Sequence, residues 1–157
     1  SLEQNIQNVN TFLLFYFYDT AFYNNADNWT DDVLYIDNYL IVAKKSVINH
    51  EINENTTLIA QRAFEACHSL ESIVIPDSVT IIDKCTFMDC DKLSSVVLHN
   101  KIIAISDYAF AGCTNLKEIT IKKIVNETSI DETILRNHLE NKPIKKVIKN
   151  FNKLFFN

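Results

Sequence analysis

The chain has 157 residues, 47% of them hydrophobic, which is enough to bury the core of one domain. A net charge of -5 provides no cluster of positive charge for phosphates, so we expect no nucleic-acid partner. The apolar run from Phe12 to Tyr18 is shorter than the roughly 20 residues that cross a bilayer, so we also expect no membrane span.

A step of 23 residues relates equivalent positions along most of the chain. It connects Phe64 with Phe87 and Phe110, and five further columns follow the same step. These columns are Cys67, Cys90 and Cys113; Leu70, Leu93 and Leu116; Ile73, Val96 and Ile119; Ile75, Leu98 and Ile121; and Ile59, Ile82 and Ile105. Six columns in phase predict one unit stacked on itself, each copy burying the open face of the next. We therefore predict a single solenoid domain over residues 1–157, mainly β with short helical turns.

Residues 1–28 are predicted to form a degenerate first repeat. Leu14, Phe17 and Phe22 have the spacing of the matching apolar residues in later repeats, and Asn25 takes the position of the cysteine column. Phe22 and Phe64 are 42 residues apart, 19 more than one repeat. An insertion is therefore predicted between them.

The predicted insertion covers residues 29–47 and contains a β-hairpin. Val33 to Ile41 supplies two short strands around Asp37-Asn38. That dipeptide suits a two-residue hairpin turn.

Residues 48–121 are predicted to be regular repeats. Within each repeat, Leu-x-x-Ile-x-Ile has the two-residue alternation of a half-buried strand, and we expect these strands to stack in parallel. If the column residues point inward, the residues between them face solvent: Ser72, Val74, Ser95, Val97, Glu118 and Thr120. These six are the candidate partner-binding residues, on a flat stripe that offers area without a pocket. Apolar pairs such as Val79 and Ile82 predict a shorter strand on the opposite wall.

The turns must form with one glycine and two prolines. Asparagine is the expected substitute, because it tolerates a positive φ better than most residues. The segment from Asp107 to Gly112 resembles a single helical turn, with Gly112 in the left-handed closing position and Phe110 directed into the core.

Residues 122–157 are predicted to form a C-terminal cap and tail. Ser129 and Glu132 have the spacing of a capping box, which predicts a short helix over the apolar residues that follow. The Lys-rich tail is interpreted as a solvated end, with contact to an acidic partner or a lipid surface as the alternative.

The sequence Ala63-Phe64-x-x-Cys67-x-x-Leu70-x-x-Ile73-x-Ile75-Pro76-Asp77-Ser78-Val79-x-x-Ile82 resembles the repeat of BspA-like leucine-rich proteins. The stretch from Asn24 to Ile41 is similar to a hairpin segment that interrupts repeats in that family. Together these similarities cover most of residues 14–121. The resemblance implies a leucine-rich repeat solenoid that binds other molecules on its surface.

The cysteines and histidines suggest no catalytic or metal chemistry. Three cysteines follow the repeat, so buried free thiols are favoured over a disulfide or a metal site, and Cys85, outside the column, is the expected exposed thiol. His50, His68, His99 and His138 share no column or motif and are interpreted as loop or surface residues. We expect no enzyme and no cofactor.

Two functions are compatible with these observations. The resemblance implies a cell-surface or secreted adhesion module with a protein partner, such as a host or matrix protein. The alternative is an intracellular, cytoplasmic scaffold or regulatory repeat domain, which reduced cysteines would suit. The sequence does not indicate the oligomeric state.

Overall fold

Residues 20–122 are described by a computed structural model, except for the side chains of Glu118 and Lys122. A four-residue helix, α1 (Ala21–Asn24), and a 3₁₀ turn (Ala26–Asn28) come before ten short strands. The strands are β1 (Trp29–Thr30), β2 (Val33–Ile36), β3 (Tyr39–Ala43), β4 (Asn49–Glu51), β5 (Leu58–Ile59), β6 (Ser72–Val74), β7 (Ile81–Ile82), β8 (Ser95–His99), β9 (Ala104–Ile105) and β10 (Glu118–Lys122). The predicted C-terminal cap and Lys-rich tail lie outside the described residues, as does most of the predicted first repeat.

One wall of the solenoid is a parallel sheet in the order β10, β8, β6, β4. Each strand pairs with the next at a step of 23 residues, so that Ile73 lies beside Val96 and Val96 beside Ile119. These three side chains are buried, as the alternation predicts. The predicted stack of parallel strands is therefore confirmed.

The opposite wall consists of shorter strands. β7 and β9 pair in parallel, with Ile82 beside Ile105. Val79, Ile82 and Ile102 are buried, and Ile105 packs against the core. The apolar pairs at three-residue spacing thus form the short strands predicted for this wall.

A stack of aromatic rings fills the space between the walls. Phe64 and Phe87 lie 5.2 Å apart between ring centroids, and Phe87 and Phe110 lie 5.4 Å apart, both in stacked geometry. None of the three is more than 1% exposed. Phe22, assigned to the same column from the sequence, is 38% exposed on α1 and does not share this environment.

The turns beside the aromatic stack form by a mechanism that the sequence did not suggest. Along each turn, successive backbone N–H groups alternate between a hydrogen bond within the turn and a hydrogen bond to the next coil. The N–H of Ala63 donates to the carbonyl of Ala60 in its own turn, whereas the N–H of Phe64 donates to the carbonyl of Thr86 in the next coil. This alternation places the same two positions of each repeat in the left-handed region. The residues at these positions are Arg62, Cys85 and Tyr108, and Ala66, Asp89 and Gly112.

The prediction that asparagine makes the turns is therefore wrong for the described residues, where no asparagine has a positive φ. Hydrogen bonds between coils hold the backbone in this conformation with whatever residue type is present. Asp107 to Gly112 forms a hydrogen-bonded turn, not a helical one, although Phe110 is buried and Gly112 has a φ of 75° as predicted.

The hairpin is part of the stack. β2 and β3 are joined by the two residues Asp37 and Asn38, as predicted, and only Asp37 has a positive φ. β1 adds a third antiparallel strand beside β2. β3 pairs in parallel with β5, so that Leu40 lies beside Ile59. The inserted segment thus extends the second wall by one strand.

Candidate functional site

The outer face of the first wall, which we call the strand face, carries the candidate residues in two rows. Ser72 and Ser95 lie beside each other in one row, and Val74 and Val97 in the other. Val74 is 50% exposed, whereas Val97 and Thr120 are partly buried. Glu118 continues the serine row through its backbone pairing with Ser95, and Thr120 continues the valine row. The fold therefore brings all six candidate positions to one face.

Two residues of the strand face were missed in the sequence. β4 adds Asn49 beside Ser72 and Glu51 beside Val74. The Ser72 hydroxyl donates a hydrogen bond of 3.4 Å to Oδ1 of Asn49. Both new residues could have been found by stepping back 23 positions from Ser72 and Val74.

The strand face is not flat, which corrects the prediction of a surface without a pocket. A groove of about 820 Å³ crosses it, lined by β4, β6, the end of β8 and the turns that follow β4 and β6. Its charged carboxylates belong to Glu51, Glu54 and Asp77, and no lysine or arginine lines it. The strand pattern could not predict the groove because its lining includes turn residues outside the in/out alternation.

Two histidines that line this groove are buried, which overturns their interpretation as surface residues. His50 replaces the column residue Ile73 one coil earlier, and its Nε2 lies 2.7 Å from the Tyr35 hydroxyl. Burial lowers the pKa of His50. His99 is 1% exposed, and its Nδ1 accepts a hydrogen bond from the backbone N–H of Lys101 at 3.1 Å.

The other two histidines differ from this pair. His68 is exposed, as predicted, and its Nδ1 lies 3.0 Å from a carboxylate oxygen of Asp91. His138 lies outside the described residues. The physical reason for the error at His50 and His99 is that a strand position is buried by its neighbours whatever its polarity. One ring nitrogen of each histidine has a polar partner, the Tyr35 hydroxyl for His50 and the backbone N–H of Lys101 for His99.

All four cysteines are free and buried. The thiols of Cys90 and Cys113 each donate to a backbone carbonyl, of Phe64 and Phe87, at 3.0 Å. Burial raises the pKa of Cys67 to about 12. A hydrogen bond with Cys113, together with burial, raises the pKa of Cys90. These thiols are poor nucleophiles, since the thiolate is the reactive form.

Two cysteine assignments were wrong. Cys85, predicted to be exposed, is 3% exposed. Its equivalents in neighbouring coils are Arg62 and Tyr108, and we attribute its burial to the small size of a thiol between two longer side chains. Asn25, assigned to the cysteine column, is exposed and caps the 3₁₀ turn by accepting a hydrogen bond from the N–H of Asp27.

Within residues 20–122, no three His, Cys, Asp or Glu side chains are grouped so that they could hold a metal ion. The same part of the chain contains no helix with the length and apolar character needed to cross a membrane.

Comparison with known proteins identifies the repeat. A family model described as "BspA type Leucine rich repeat region" matches residues 34–157 with six copies. No curated protein matches the sequence.

Two solved structures are similar to parts of the chain. A leucine-rich repeat protein from Bacteroides ovatus is 30% identical over 46% of this chain and 23% of its own, with a TM-score of 0.42. A leucine rich cell surface protein from Faecalibacterium prausnitzii is 24% identical over 50% of this chain and 27% of its own, with a TM-score of 0.40. The chain thus spans about a quarter of the length of each. The family model matches well over half of the chain, and the chain therefore belongs to the BspA-type leucine-rich repeat family.

Proposed function

We propose that the chain is a non-catalytic module that holds a protein partner on its strand face. Repeat solenoids in general use an extended surface built from equivalent positions of successive repeats for binding. Membership of a leucine-rich repeat family supports this use of the fold.

One observation carries the proposal: Val74 and Val97 are neighbours in register on the outer face, and Val74 is half exposed. Serines lie in the adjacent row, so small polar groups border an aliphatic strip. An interface of this kind has an apolar centre with polar groups at its edge, which is how protein interfaces are commonly arranged.

We propose further that the module acts in adhesion at the cell surface or after secretion, with a host or matrix protein as partner. The resemblance to BspA-like adhesins motivates this proposal. The second candidate is an intracellular scaffold. It is favoured by four free cysteines, because oxidising compartments promote disulfides, although burial also protects thiols. Surface labelling and fractionation of the cells that make the protein distinguish these two locations.

Paired substitutions in β8 test the binding surface. Val97 is partly exposed, so Val97→Arg should fold with a nearly unchanged Tm and lose binding to proteins recovered by the unsubstituted chain from a matrix preparation. Val96 is 0% exposed, so Val96→Arg should unfold the chain because it buries an unpaired charge. If Val97→Arg folds and binds the same proteins as before, the strand face is not the binding surface.

A further inference from the structure

The acidic residues of the strand-face groove lie on two adjacent coils. Glu51 is on β4, the edge strand of the sheet, and Glu54 and Asp77 are in the turns that follow β4 and β6. Glu51 begins the row that continues with Val74 and Val97. Along this row the groove passes from the carboxylate of Glu51 to the aliphatic side chain of Val97 over two strand spacings, or about 10 Å. Asp77 lies beside the row, three residues after Val74 in the same coil.

The two turn carboxylates are equivalent positions of adjacent coils. Glu54 and Asp77 are separated by one 23-residue step, and the hydroxyl of Ser78 donates to the backbone carbonyl of Glu54 at 2.8 Å. The two turns are thus in direct contact. Like charges at neighbouring stacked positions repel each other.

No ion pair within residues 20–122 neutralises the three groove carboxylates, although the charge of Glu51 acts on the neighbouring ring of His50. The ion pairs formed by Asp32, Glu65 and Asp91 with their basic partners do not involve these three carboxylates. The three side chains are exposed, so a positively charged ligand can reach them. Within residues 20–122, the three carboxylates are not grouped so that they could hold a metal ion together.

A buried histidine adds an independent polar feature to the same groove. His99 lines it and is 1% exposed. Its Nδ1 accepts from Lys101, so a neutral ring carries its proton on Nε2, and Nε2 has no hydrogen-bond partner within residues 20–122. A buried N–H without an acceptor is costly. Nε2 is closed off in the unbound chain, so the backbone carbonyl of a bound segment reaches it only when the groove wall opens there.

We propose that this groove binds an extended segment of a protein partner in which two or three lysine or arginine residues come next to an aliphatic residue. This inference deepens the proposed function and rests on it. The basic side chains contact Glu51, Glu54 and Asp77, and the aliphatic side chain contacts Val74 and Val97. The distance of about 10 Å corresponds to about three residues of extended chain, so a short linear segment spans it.

The test uses a fluorescein-labelled peptide with three lysines followed by three valines, and fluorescence anisotropy with the full chain in 50 mM NaCl. The control peptide has glutamate in place of each lysine. We expect the lysine peptide to bind at least tenfold more tightly than the glutamate peptide, and to weaken about tenfold in 500 mM NaCl, where charges are strongly screened.

A charge-neutralised chain assigns the binding to the groove. The variant combines Glu51→Gln, Glu54→Gln and Asp77→Asn, and we expect it to bind the lysine peptide about tenfold more weakly, as the loss of three exposed ion pairs implies. The matched control neutralises three exposed carboxylates elsewhere, with Asp27→Asn, Asp37→Asn and Asp107→Asn, and should bind as the original chain does. Tm measurements check that both variants fold.

The outcomes separate this inference from the function on which it rests. Equal binding of the two peptides, or equal losses in the two triple variants, overturns the inference of a basic partner. Calcium binding by the chain that the groove substitutions abolish, without lysine-peptide binding, overturns it as well. In each case the strand face can still bind a partner of other chemistry, which the Val97→Arg test measures separately.

Discussion

Replacing Phe87 with alanine tests the aromatic stack that joins the coils. The ring is 0% exposed and lies between Phe64 and Phe110, so its removal opens a cavity with one aromatic wall on each side. A buried phenylalanine removes roughly 150–250 Å² from water, which at about 25 cal/mol per Å² corresponds to some 4–6 kcal/mol. Alanine retains part of this burial, so we expect Phe87→Ala to lower the free energy of unfolding by about 3–5 kcal/mol.

Urea unfolding followed by circular dichroism measures this loss. The control is Phe22→Ala, which removes a ring that is 38% exposed on α1 and should cost less than about 1 kcal/mol. A domain of this size has a total stability of about 5–15 kcal/mol, so the Phe87 variant should be marginal but measurable. If the two variants lose similar amounts, the coils do not depend on the aromatic stack as described.

Three further predictions follow from the turns and the buried groups. The four thiols should react with a thiol reagent at pH 8 only after denaturation, since all are buried and the pKa of Cys67 is raised to about 12; rapid labelling of native protein would contradict this. Gly112→Ala should cost about 1–2 kcal/mol in urea unfolding, because φ is 75° and the added Cβ would lie 2.1 Å from Oδ1 of Asp89. Ala66→Gly, at the equivalent position, should be neutral or stabilising, and an equal loss in both variants would refute the left-handed assignment. Burial lowers the pKa of His50 in the folded chain below the value of about 6.5 in the unfolded chain. As the pH falls, the unfolded chain therefore binds a proton at this histidine at a higher pH than the folded chain does, and stability should decrease below about pH 6.5. His50→Leu should lose part of that pH dependence. If the urea midpoint of this variant changes between pH 5.5 and 8 as much as that of the original chain does, His50 does not contribute to the pH dependence.

The repeat period predicted the core because the same hydrogen-bonded coil recurs with the same residues facing inward. Phe87 and Val96 could be assigned from their columns alone. His50 could not be assigned by hydrophobicity, although the 23-residue step from Ile73 leads directly to it. Its burial depends on the Tyr35 hydroxyl from the hairpin, a contact between segments that no repeat pattern contains.

Part of the candidate site was predictable for the same reason, and part was not. The alternation along the strands indicated Val74 and Val97 as outward residues. The groove depends on turns such as the one that carries Asp77, whose side chains follow no alternation. Residue identity was also misleading in the turns, where hydrogen bonds between coils hold Arg62 and Cys85 in a conformation usually associated with glycine or asparagine.

The hairpin lies outside the regular coils, so the number of coils can vary without changing it. A parallel stack presents a similar backbone edge at every coil, and an uncovered edge can recruit a strand from another molecule. β3 continues the second wall in parallel, but β2 reverses direction and β1 contributes only two residues beyond it. Duplicating one 23-residue unit between β4 and β10 would lengthen both walls and leave this reversal intact. Descendants of the gene could therefore gain or lose coils between β4 and β10 while the antiparallel hairpin stayed the same.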